Sequence, residues 1–335
     1  MRAAVIAEDR TLEVAQVDDP GPGPGELVLA VKGCGICGSD LKVVQHLPIG
    51  YTLGHEFSGE VVAVGADPVG DWKTGDAVCA LPLVGCGNCQ FCRATLPVHC
   101  SHSEMIGTGA RPGAYAEYVT VSSAQTFRLP EGCGYDVGAL VEPLAVGLHA
   151  VDTAGIAAGD NVLIVGAGPV GLAVALWCRH VGARSVVVSD PVAVRRESAG
   201  QFGATGIIDP EDEELGPAFQ RLAGAPPDVV VEAVGKPGII QTCIEAAAHQ
   251  GRVTVVGICS GPDPIIPVFA SLKELTMTFP VYYRHQDYAH TLAMIEQGRI
   301  DPVPFITHTV DLDGLPEAFE AIKSPTDQCK VLVRP

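Results

Sequence analysis

The chain has 335 residues, 47% of them hydrophobic and 18% charged, with a formal net charge of −18. That length points to two domains, and the composition argues against a disordered chain. So acidic a surface repels phosphate backbones, which argues against nucleic acid as a partner. No apolar run reaches the ~20 residues of a membrane helix, so no membrane association is expected. The N-terminus MRAAVIAEDR lacks the basic-then-apolar pattern of a signal peptide, so a cytoplasmic protein is expected.

Residues 1 to about 80 read as β-structure. Short apolar runs (Ala3–Ile6, Leu27–Val31, Val61–Val64, Ala77–Ala80) are separated by Gly/Pro turns such as P-G-P-G-P-G at 20–25. Strands of this length and spacing predict a partly open barrel. Loops of that barrel carry G-C-G-I-C-G-S-D at 33–40 and L-G-H-E-F at 53–57. Cys37, His55 and Glu56 supply a thiolate, an imidazole and a carboxylate, three good ligands for a catalytic zinc with an open position.

The chain holds 12 cysteines. Cys86, Cys89, Cys92 and Cys100 form a C-x2-C-x2-C-x7-C cluster, and most of the others are scattered among small and apolar neighbours. In a reducing compartment clustered cysteines suggest metal rather than disulfides. Four thiolates close a tetrahedral zinc site and leave no free position, which makes it structural. Four thiolates also suit an iron–sulfur cluster. His99 and His102 lie beside the cluster and are read as bystanders.

Residues 113–129 return to β alternation, and Tyr135–Ala150 reads as one helix containing V-E-P-L-A-V-G-L-H-A. Glu142, a carboxylate inside an apolar stretch, calls for a partner. It is read as a zinc ligand or a base close to the metal, against the plainer reading of a helix-end charge.

From Asn161 the texture changes to apolar strands alternating with helical segments, which predicts a parallel, doubly wound sheet of six strands. Its first turn is G-A-G-P-V-G at 166–171, between a strand and a helix, and Asp190 ends the next strand. That context makes a dinucleotide fingerprint of an otherwise weak motif. Gly166 permits the tight turn, Gly168 admits the pyrophosphate to the helix N-terminus, and Gly171 permits close packing; Pro169 and Val170 complete the loop. Asp190 is expected to take the adenosine ribose diol and to repel a 2′-phosphate, favouring NAD over NADP. Arg195 is placed near the adenine and Arg196 at the surface. The tail, 282–335, is expected to rejoin the barrel domain.

In this order, G-H-E at 54–56, the four-cysteine lobe, V-E-P-L at 141–144 and G-A-G-P-V-G resemble the zinc-dependent medium-chain alcohol dehydrogenase family. The V-E-P-L element is similar to the sorbitol, butanediol and threonine dehydrogenase branch, and the resemblance covers nearly the whole chain. It implies an α/β protein with a GroES-like β-barrel catalytic domain (1–148 and 281–335, the structural zinc lobe at 85–100) and a Rossmann NAD-binding domain (149–280). It further implies two zinc ions per subunit and a homodimer or homotetramer. Cys37, His55 and Glu56 would be the metal ligands, with Glu142 bound directly or through water.

In the family pattern Ser39 carries the substrate hydroxyl proton, and a histidine three residues on often completes a relay. Lys42 stands at that position here. It is open to three readings: a contact to the cofactor ribose, a proton shuttle if burial depresses its pKa, or a surface charge. His46 is a further substitute.

The activity implied is reversible hydride transfer between a secondary alcohol or polyol and NAD, in a cleft between the domains. An NADPH-dependent carbonyl or enone reductase of the same architecture and a non-catalytic redox sensor are the alternatives. Substrate-pocket residues are expected from Gln45–Tyr51, Ile106–Arg111 and Phe279–Arg284. Arg284 is read either as the binder of an anionic group or as a surface charge.

Overall fold

The structure, a computed structural model, describes residues 1–324 and 327–335. The chain divides into two compact units, Met1–Glu142 with Arg284–Pro335, and Pro143–Tyr283.

The first unit is built on a seven-stranded sheet. Its strand order is Ile306–Asp311, Lys330–Arg334, Glu26–Gly35, Glu56–Val64, Ala77–Ala80 and Thr126–Arg128, with Tyr118–Ser122 also paired to Glu26–Gly35. The central pair, Glu26–Gly35 with Glu56–Val64, is antiparallel and changes register between Val28 and Leu29 and between Val31 and Gly33. Such irregularities bend a long strand and let it curl around a core. Alternate residues, including Leu27, Leu29, Val31, Phe57 and Val61, point into one buried apolar cluster. The tail closes this sheet: Leu332 and Val333 pair with Gly35 and Cys34. The last strand therefore lies against the end of the strand that leads into Cys37.

The expected single helix over 135–150 is two helices, Tyr135–Ala139 and Val141–Thr153, meeting at Leu140. Pro143 supplies the reason. It has no N–H to offer the carbonyl four residues back, at Ala139, and its ring crowds that carbonyl. The break falls there.

The second unit holds a six-stranded sheet in the order Gly206–Ile208, Ser185–Ser189, Asn161–Val165, Val229–Glu232, Arg252–Val255, Thr276–Thr278, every pair parallel. The Asn161–Val165 strand is buried along its whole length, as a central parallel strand covered on both faces must be. Strand order reverses here, because the chain first adds strands on one side of Asn161–Val165 and then on the other. A crevice opens at the carboxyl ends of the strands at such a reversal. The expected helix over 194–202 is α-helical only to Ser198 and then tightens into a 3-10 turn, which Gly203 ends at φ +90°.

Candidate metal and coenzyme sites

In the first unit the two central strands bring the candidate ligands together. Gly35 pairs with Glu56 across the sheet, so Cys37, just past one strand, meets His55, just before the other. The ligating atoms of Cys37, His55 and Glu56 all lie within 4.8 Å of one another. The Ser39 hydroxyl donates to the Cys37 sulfur at 3.2 Å. Sulfur, nitrogen and oxygen donors at this separation suit a zinc ion with a position left open.

Behind the ligands stands Asp40, fully buried at the start of the short helix Asp40–Val43. Its carboxylate accepts from the Tyr115 hydroxyl at 2.6 Å and from the Cys37 amide at 3.2 Å. It also lies 3.1 Å from His55 Nδ1. A carboxylate this close to Nδ1 favours a proton there and leaves Nε2 as the nitrogen for a metal. Burial alone would push the His55 imidazole down, but the charges of Asp40 and Cys37 outweigh it and raise the imidazole well above its ordinary value. Burial and the Asp40 charge likewise push the Tyr115 phenol well up, so it remains a donor.

Glu56 is paired from the far end of the chain. Lys330 Nζ lies 2.7 and 2.6 Å from its two carboxylate oxygens and also donates to the Ile36 carbonyl at 3.1 Å. Lysine and glutamate are each only 1% exposed. Burial opposes the Lys330 charge, and Glu56 more than restores it, so the ammonium holds its proton above its ordinary value. The pair fits because residue 35 is glycine: a Cβ there would stand 2.1 Å from Glu56 Oε2.

Glu142 is buried, 4% exposed, at the second position of its helix, and it lies outside the three-residue cluster. Lys42 and His46 are both exposed, so the burial that would suit Lys42 to proton shuttling is missing. The Tyr51 hydroxyl donates to the Arg111 carbonyl and accepts from the Gly109 amide at 3.3 Å. Two of the three segments expected to line the substrate pocket are thereby tied together. Arg284 is exposed at the start of the His285–Glu296 helix.

The sulfurs of Cys86, Cys89, Cys92 and Cys100 form the second cluster, also within 4.8 Å of one another. No disulfide joins any cysteine among the described residues. Backbone amides donate to these sulfurs, from Cys92 to Cys89 at 3.4 Å and from His102 to Cys100 at 3.4 Å. Amides of Asn88 and Cys89 depress the Cys86 thiol to about 6, and the Cys92 amide depresses Cys89, whereas burial pushes Cys92 up to about 12. Amide donors that favour thiolates make this lobe a fitting metal cage. His99 packs against Phe91 with the rings tilted by 59° and their centroids 5.6 Å apart, and neither His99 nor His102 joins the cluster.

In the second unit Gly166 turns the chain at φ +107°, and Gly168 and Pro169 open the helix Pro169–Val181. A Cβ on Gly171 would stand 1.9 Å from the Gly166 carbonyl oxygen, so helix and turn meet only through glycine. Asp190, 6% exposed, accepts from the Ala167 amide at 2.9 Å and the Val192 amide at 2.8 Å. It thus braces the glycine turn from the neighbouring strand, and each of its oxygens keeps a lone pair for a ligand. Arg196 is committed to Asp209 at 2.5 Å and to the Asp190 carbonyl at 2.6 Å. Arg195 is half-buried, and its Nε has no hydrogen-bond partner among the described residues.

Two family profiles match the chain, "Alcohol dehydrogenase GroES-like domain" over residues 23–131 and "Zinc-binding dehydrogenase" over 169–297. An L-threonine 3-dehydrogenase of Pectobacterium carotovorum is 31% identical over 92% of this chain and 92% of its own length. The chain belongs to the zinc-dependent medium-chain alcohol dehydrogenase family. Within that family it is also similar to a Bacillus subtilis sorbitol dehydrogenase, at 28% identity over 100% of this chain and 97% of the relative. A solved Escherichia coli alcohol dehydrogenase complexed with NADH superposes with a TM-score of 0.92 at 28% identity, covering 100% of this chain and 99% of that one. Its two halves have the GroES-like and Rossmann folds expected of a medium-chain dehydrogenase.

Sequence reasoning passed over two residues that brace the candidate metal site. Asp40 had a local signal, an acid opening a helix three residues after a candidate thiolate. Lys330 had none, since it lies 274 residues from its partner.

Replacing Lys330 with Met leaves the Glu56 carboxylate buried without a cation. Denaturant unfolding of the Lys330→Met variant is expected to show a loss of about 3–5 kcal/mol, with Lys330→Arg recovering much of it. A second expectation concerns pH. Because the His55 value is raised, its contribution to the stability of metal-free protein is whole below the unfolded value of about 6.5 and is lost as pH rises through the folded value. Zinc competes with that proton, so zinc affinity rises over the same interval. Chelator competition and unfolding midpoints across about pH 5–9 measure both, and Asp40→Asn should lower the interval in which each changes.

Proposed function

We propose that this dehydrogenase oxidises a secondary alcohol or polyol with NAD, and reduces the matching ketone, using zinc held by Cys37, His55 and Glu56. The observation that carries the reading is a three-donor cluster, each buried member braced by an opposite or complementary group, in a chain that also has a braced glycine turn. When bound, zinc supplies Lewis acidity that lowers the pKa of an alcohol oxygen, and NAD supplies the hydride acceptor.

This chain's own residues have distinct tasks. Ser39, 3.2 Å from the Cys37 sulfur, takes the proton of the substrate hydroxyl. Asp40 keeps His55 in one tautomer. Lys330 holds both Glu56 carboxylate oxygens. Glu142, outside the cluster, acts through a water rather than as a permanent ligand. Lys42, being exposed, is poorly suited to be the second member of the relay. Cys86, Cys89, Cys92 and Cys100 hold a second, structural zinc, because four thiolates leave no position for substrate. The Asp190 carboxylate at the end of the second sheet strand disfavours a 2′-phosphate, which supports NAD. The half-buried Arg195 guanidinium is the feature that favours the phosphorylated coenzyme, and a direct comparison of the two decides. A purely binding or sensing role has no support in a donor set this complete.

A homodimer is part of the same reading. Half of the large hydrophobic residues exposed among the described residues fall between 258 and 281, among them Ile258, Ile266, Val268, Phe269, Leu272 and Phe279. The strand Thr276–Thr278 is the edge of its sheet, and no residue of the helix Pro267–Lys273 is buried. An open edge beside an apolar face invites a second copy across a two-fold axis. A reducing cytoplasm suits cysteines that form no disulfide among the described residues.

Screening secondary alcohols and polyols with NAD at alkaline pH, read by absorbance of the reduced coenzyme, is expected to find turnover. Cys37→Ala should lower kcat/KM by ~10³-fold or more and Ser39→Ala by about 10²-fold. A clear preference for NADP, or turnover untouched by Cys37→Ala, refutes the assignment. Light scattering after gel filtration should give a dimer or a multiple of it, and Leu272→Glu should shift it toward monomer; an unchanged assembly counts against this face.

A further inference from the structure

The second unit contains a buried carboxylate that the glycine turn and Asp190 do not account for. Glu232 ends the strand Val229–Glu232, next to Asn161–Val165, and is 1% exposed. Its Oε1 accepts from the amides of Val234 at 2.8 Å and Gly235 at 2.7 Å, the loop that follows its own strand. Its backbone carbonyl accepts from Val256 at 2.8 Å and Gly257 at 3.0 Å, the loop that follows the next strand. One residue therefore ties two successive loops together.

The loops touch as closely as backbone permits. Gly235 has φ +68°, and a Cβ on it would stand 2.6 Å from the Ile258 carbonyl oxygen. A Cβ on Gly257 would stand 2.2 Å from the Gly235 nitrogen and 2.5 Å from Glu232 Oε2. That second oxygen has no hydrogen-bond partner among the described residues. Burying a carboxylate with a bare oxygen is costly, and a neutral residue would hold a strand end at lower cost.

The position of these loops suggests the use. In this strand order the dinucleotide crosses the carboxyl ends of the strands at the reversal, with its pyrophosphate at the first glycine turn. Asp190 places the adenosine side over the Ser185–Ser189 strand. The other half must then run over the strands on the opposite side of Asn161–Val165, beginning with Val229–Glu232 and Arg252–Val255. Gly166 itself abuts this region, since a Cβ there would meet the Ala233 carbonyl oxygen at 3.0 Å.

We propose that Glu232 is a positioning residue for the nicotinamide half of the coenzyme. Through the Val234 and Gly235 amides its side chain fixes the loop after its own strand, and the loop after the next strand, held by its backbone carbonyl, packs against that one beside the nicotinamide ribose. The proposal rests on the coenzyme reading given above. Glu232→Gln keeps the volume and one acceptor but loses the charge that strengthens the amide bonds.

The test compares two ligands on purified protein, NADH by its fluorescence and ADP-ribose, which lacks the nicotinamide, by calorimetry. NADH affinity should fall about tenfold in Glu232→Gln while ADP-ribose affinity stays within about twofold. If Glu232→Gln does not fold, Glu232→Asp, which retracts the charge by one methylene, should show the same split. Equal weakening of both ligands marks a merely structural residue, and weakening of neither marks no role. Either result overturns the proposal and leaves the coenzyme reading intact. Wild-type protein that binds neither ligand overturns both.

Discussion

Two carboxylates, Asp40 and Glu56, are buried beside Cys37 and His55, and most of the first unit is arranged so that neither is left alone. A carboxylate out of water needs a cation or several donors, and the fold supplies both kinds. Asp40 draws on an imidazole, a phenol and a backbone amide; Glu56 draws on one ammonium with both oxygens. These requirements explain why a strand from the tail is laid beside Glu26–Gly35, and why residue 35 has no side chain. They also separate the roles of the donors. His55 faces a fixed charge in Asp40, whereas Glu56 has a standing alternative partner in Lys330. A metal would compete with that ammonium for the same oxygens.

The second unit solves a different problem, how to hold backbone rigid at the strand ends where a dinucleotide's pyrophosphate comes close. Two acids at the ends of the strands that flank Asn161–Val165, Asp190 and Glu232, turn inward and take backbone amides from the loops. The loops are stiffened from beneath, and their upper faces stay free to meet a ligand. Glycine at 166 and 171 lets backbone reach distances at which any side chain would collide.

What was legible in the sequence was what depends on neighbours along the chain. The four cysteines, the glycine turn and the pairing of His55 with Glu56 announce themselves by spacing. The six strands of the second sheet do so by composition, because a strand covered on both faces is apolar throughout. Contacts between distant segments were not legible. Nothing near Lys330 distinguishes it from any lysine opening a strand, and its burial follows only from the sheet order. Pro143 carried a readable warning, and the helix over 135–150 breaks one turn before it. Lys42 stood in a suggestive position by spacing alone, and its exposure depends on which way a four-residue helix is rotated.

The Lys330–Glu56 pair also bears on how the protein is made. A ribosome adding about 5–20 residues per second needs roughly 14–55 s to travel the 274 positions between them. Through that interval the nascent barrel carries an acid whose counter-charge has not been synthesised. The second unit, whose strands all come from one continuous stretch, has no such debt and can close first. Until the final strand docks, a metal reaching Glu56 would meet no competing ammonium.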